Sequence, residues 1–151
     1  MLNNEDVVSI LNDLSQTCED GEKGFKEAAK GLQDAEIRAL FLQLGEEREE
    51  LATELQEEVS RLGGKAEETG TVAGSVHRGW INLKSAITGK NDAAIIAEAE
   101  RGEDIAKNNY EKALKANLPP DTRQLVENQY ERVCASHDQV RDLERATSTN
   151  S

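Results

Sequence analysis

Side chains able to do chemistry fall at converging spacings in this 151-residue chain. Glu100 and Glu103 are three residues apart, as are Cys134 and His137, and on a helix that spacing puts both partners on one face. A carboxylate-bridged pair of metal ions in a helical bundle takes one Glu from each of two helices and Glu-x-x-His from each of the others. Here Cys134-x-x-His137 stands where one Glu-x-x-His would fit, and Arg48-x-x-Leu51 stands at the other. A guanidinium stays protonated and has no acceptor, so Arg48 is no ligand, and its charge would repel a metal ion. Any iron or manganese would have Glu22, Glu100, Glu103 and His137 to bind it. The favoured reading has no cofactor and no catalytic residue. It is a buried polar layer of Arg48, Glu100, Glu103, His137, Cys134 and Tyr130, because buried charges are normally paired.

Four long amphipathic helices must position these groups. The first is predicted from Asn4 to Lys30, capped by Asn3 or Asn4, with Val7, Leu11, Leu14, Cys18, Gly21, Phe25, Ala28 and Leu32 on one face. The second runs from Asp34 to Leu62 and stops at Gly63-Gly64. Its stripe is Ile37, Phe41, Leu44, Arg48, Leu51, Leu55, Val59 and Leu62, with Arg48 at the centre. The third begins at the Asn91-Asp92 cap and reaches Ala116. The Pro119-Pro120 pair then opens a fourth that ends near Ala146. Its inward positions are Val126, Tyr130, Val133, His137 and Val140.

Between helices two and three lies a long connection. Within it Val72, Val76, Trp80, Leu83 and Ile87 recur at helical spacing and predict one short helix over Gly74–Thr88. A long crossover lets helices two and three run parallel. The expected fold is therefore all-α, a ferritin-like four-helix bundle with a short extra helix in the crossover between helices 2 and 3. Residues 1–146 form a single domain and 147–151 a disordered tail.

Counting equally from the two hairpin turns sets the levels. Cys18 and Glu22 fall beside Arg48, and Gly21 falls opposite Gly45. Glu100 falls beside His137, and Glu103 beside Cys134. His77 lies off the apolar face, while Trp80 is expected over an open end or side of the bundle. The run Glu46-Glu47-Arg48-Glu49-Glu50 is a solvated face apart from Arg48.

Composition narrows the function. With 18 Lys and Arg against 30 Asp and Glu, the net charge is −12, which argues against nucleic acid and anionic membranes as partners. No apolar run reaches the length of a membrane span, and the N-terminus reads as no signal peptide. Two cysteines, Cys18 and Cys134, are too few for a disulfide scaffold, so a reducing cytoplasm is expected. There is no phosphate-binding glycine loop, zinc spacing or nucleophile elbow.

The stretches LNDLSQTCEDGEKGF, GTVAGSVHRGWINLKSAI, EAERGEDIAKNNYEKAL and VCASHDQVRDL resemble a bacterial ferritin-like family, domain of unknown function 2383. The pattern of Gly70, Gly74, His77, Arg78, Gly79 and Trp80 is the most specific part, and the likeness covers nearly all of residues 3 to 146. It implies the four-helix bundle, but not a role, since the family's function is not established. Relatives in the wider ferritin-like group often bind iron or manganese, and this chain departs from their ligand pattern at Arg48 and Cys134. The resulting expectation is a cytoplasmic, non-enzymatic bundle, a homodimer that acts by self-association or protein contact, by analogy in stress. The alternative is a metal-dependent oxidoreductase or iron-binding protein.

Overall fold

A computed structural model describes residues 2–65 and 80–149. Every element among them is a helix: α1 (Asn4–Gly31), α2 (Ala35–Arg61), α3 (Leu83–Thr88), α4 (Asp92–Leu114) and α5 (Pro120–Thr149). Val72, Val76, His77 and the glycine pattern from Gly70 to Gly79 lie outside the described residues. The short helix expected over Gly74–Thr88 is described only from Leu83, after a turn at Trp80–Asn82. At the other end α5 continues to Thr149, past the expected stop at Ala146.

Local chemistry sets the ends. The Asn3 side chain accepts from the Asp6 N–H at 2.8 Å, and acidic Glu5 and Asp6 sit at the positive end of the α1 dipole. Asp34 accepts from the N–H groups of Glu36 and Ile37 to start α2. The chain leaves α2 through Gly63 at φ 80, a left-handed conformation that glycine adopts without steric cost. Asp92 joins the two halves of the chain. Its carboxylate accepts from the backbone N–H of Gln33 at 2.9 Å and of Asp34 at 3.0 Å, tying the start of α4 to the α1–α2 turn.

That tie fixes the directions. α1 and α2 form an antiparallel hairpin, as do α4 and α5. α4 starts where α1 ends, so it runs antiparallel to α1 and parallel to α2. All four long helices contribute to one shared interior, and α3 lies against α1 and α4. The apolar part falls into two clusters. One gathers Leu11, Leu14, Leu51, Leu55, Val59, Tyr110, Val126 and Val133. The other gathers Phe25, Phe41, Leu44, Trp80, Ile95, Ile96 and Val140. Both arise from the three-and-four spacing of apolar residues.

Two glycines make the second cluster possible. Trp80 is wedged between α1 and α4 over Gly24 and Gly102. A Cβ on Gly102 would come within 2.6 Å of the indole Nε1, and one on Gly24 would collide with the ring carbons. The indole is almost fully buried and packs edge-on against Phe25 at 5.0 Å between centroids; Phe25 does the same with Phe41 at 5.2 Å. The turn beyond Trp80 is held by Glu98. That buried carboxylate accepts from the Asn82 N–H at 2.5 Å and pairs with Arg101 at 2.8 Å.

Candidate functional site

Between the two apolar clusters lies a layer of polar side chains. Arg48 comes from mid-α2, Glu103 from α4 and Ser136 from α5. Arg48 is 2% exposed and Glu103 0%. The Arg48 Nη2 stands 2.7 Å from both Glu103 carboxylate oxygens. It donates a hydrogen bond to Oε2, while Oε1 accepts none. Nη2 also donates to Ser136 Oγ at 2.7 Å, and the Ser136 hydroxyl lies 2.5 Å from Glu103 Oε2. The guanidinium stacks 5.7 Å from the Phe25 centroid. Burial pulls the Arg48 guanidinium down, but Glu103, Cys18 and Tyr110 together hold it above its ordinary value.

Room for this cation comes from Gly21. A Cβ there would stand 3.0 Å from Arg48 Nη1. Gly21 was expected opposite Gly45, with backbone against backbone. Gly21 instead admits the Arg48 side chain, while Gly45 does lie close to the α1 backbone, at the Glu22 carbonyl, beside Lys26 and Phe25.

A second polar chain runs into the first apolar cluster. Cys18 Sγ lies 3.0 Å from the Tyr110 hydroxyl, which donates to Gln129 Oε1 at 2.7 Å. Gln129 Nε2 then donates to the Leu51 carbonyl at 3.1 Å and to Glu54 at 3.0 Å. Burial pushes the Cys18 thiol up to about 11, against the pull of Arg48. Burial, with Cys18 beside it, also holds the Tyr110 phenol well above its usual range. Both groups stay protonated at neutral pH, so Cys18 is a poor nucleophile.

The remaining residues singled out from the sequence lie elsewhere. His137 is buried, but it turns outward along the α4–α5 seam. Its Nε2 is 2.6 Å from Asp104 and its Nδ1 is 3.3 Å from Asp138. That hydrogen bond holds Asp138 below its ordinary range. Glu100 is half-exposed on the same seam. Burial, then Glu144 and Asp104, raise its carboxyl, with His137 and Arg145 opposing. Glu22 is also half-buried and pairs with Lys26 at 2.7 Å, one residue round the helix from the Gly21 opening. Tyr130 donates to Glu111 at 2.6 Å. That bond, followed by Cys134, raises the phenol's pKa. Cys134 is half-buried and lies beside the Tyr130 phenol.

The levels therefore differ from the equal count. Ser136, not Cys134, faces Glu103; His137 bonds to Asp104, with Glu100 one turn away and within electrostatic reach of the ring. The two helices do not leave their turn at equal heights. α4 stops at Leu114, α5 begins at Pro120, and Arg123 reaches back to the carbonyls of Leu114 and Ala116. Glu22 pairs with Lys26, Glu103 with Arg48 and His137 with Asp104. Among the described residues, no three His, Cys, Asp or Glu side chains are grouped so that they could hold a metal ion.

Ser136, Gln129, Asp104 and the Gly24–Gly102 notch carried no sequence signal as isolated polar or small residues. The inward spacing of Gln129 with Val126, Val133 and Ser136 was the one available clue. No described helix is long and apolar enough to cross a membrane. The sequence pattern of a domain of unknown function (DUF2383) matches residues 6–116. No curated protein matches the chain.

Proposed function

The chain belongs to the DUF2383 family, and we propose that it is a non-enzymatic, ferritin-like four-helix bundle that acts by self-association or protein contact. The observation that carries this reading is Arg48. A cation supplied by the chain itself sits in the mid-bundle layer, 2.7 Å from Glu103. In a metal-carboxylate bundle the charge of the ion balances the carboxylates. Here the guanidinium does so, and the hydroxyl of Ser136 completes the shell.

The connectivity supports the ferritin-like part of the reading: two antiparallel hairpins joined by a long crossover, with α2 and α4 parallel. The protonated Cys18 and Tyr110 support the non-enzymatic part, since neither is poised as a nucleophile or base. A homodimer in a bacterial cytoplasm is the proposed form, with Leu42 and Ile81 the large apolar side chains exposed among the described residues. A stress-related role extends the proposal by analogy with other small ferritin-like proteins.

The test combines elemental analysis of the dialysed protein with light scattering. The expected result is less than one tightly held transition metal per chain and the mass of a dimer. Stoichiometric iron or manganese that survives dialysis would overturn the non-enzymatic reading in favour of a metal-dependent oxidoreductase or iron-binding protein. Monomer mass over a wide concentration range would remove self-association.

A further inference from the structure

We draw no further inference here: the strongest candidate, the groove of about 470 Å³ between α1 and α4 with Arg48 and Trp80 in its wall, is a largely apolar face, and nothing in the structure shows what covers it.

Discussion

Two polar pairs that share α4, through its neighbouring residues Glu103 and Asp104, have opposite characters. Arg48 and Glu103 meet in the interior, with side chains 3% and 1% exposed. His137 and Asp104 meet at the α4–α5 seam, where the Asp104 side chain is 56% exposed. Glu103 and Asp104 are neighbours in sequence, but a helix turns about 100° per residue, so one points into the bundle and the other out of it. Water reaches the outer carboxylate and screens it. The inner one has only the guanidinium and a serine. The same chemistry is thus indispensable in one place and nearly free in the other.

Breaking the inner pair should have the largest effect. Arg48→Ala leaves Glu103 buried without its cation and opens a cavity, at a cost of about 3–5 kcal/mol in urea melts. Arg48→Met combined with Glu103→Gln should recover much of that loss, because no orphan charge remains. Read as a mutant cycle, the two sites should be strongly non-additive. Additivity would mean that Arg48 and Glu103 do not depend on one another, and the contrast with the outer pair would disappear.

Next comes the glycine notch beside the inner layer. Gly102→Ala forces a methyl within 2.6 Å of the Trp80 ring nitrogen. The indole must move, at roughly 1–3 kcal/mol for overpacking. A Gly102→Ala protein that melts with the parent by far-ultraviolet circular dichroism would show that Trp80 is not seated there.

The buried Cys18–Tyr110 chain should set the response to alkali. An unfolded Cys18 thiol loses its proton near its ordinary 9.0, whereas the folded one keeps it to about 11. Between those values the folded chain binds more protons, so stability falls as pH rises, and Tyr110 acts in the same direction. Melts across pH 8–11 should show this fall, and Cys18→Ala should lessen it. A parent whose stability is flat over the window would contradict the burial of both groups.

The smallest effect belongs to the outer pair. Asp104→Asn should cost roughly 0.2–1 kcal/mol, the range of contacts made by a solvent-exposed carboxylate, because the amide still offers His137 a hydrogen-bonding oxygen. If its measured loss matched that of Arg48→Ala, burial would not be what separates the two pairs.

Periodicity made much of the fold legible. The stripes from Val7 to Leu32 and from Phe41 to Val59 mark faces that are buried in the structure, with Ile37 and Leu62 half-buried at the ends, and the Asn, Asp, Pro and Gly signals mark helix ends. Arg48 stood out because a cation in an apolar stripe must find a partner. Its partner's neighbours were harder to read. The face of a residue follows from its own helix, but the level at which two helices meet depends on how they leave their turn, which no repeat encodes. For that reason the equal count gives Glu100, a full turn from the Asp104 that bonds His137, and Cys134, two residues from the Ser136 that faces Glu103. Ser136 was missed because a lone serine on a helix is usually unremarkable, and it matters here only because an arginine from another helix arrives beside it.

Trp80 is the only tryptophan in the chain. Its ring is closed off between Gly24, Gly102 and Phe25, at the point where the crossover rejoins the helices. The protein therefore carries its own optical reporter. Indole emission comes from one environment, so any blue or red shift reads directly on whether the end of the crossover is docked between α1 and α4. No label has to be introduced into a molecule whose interior has little room for one.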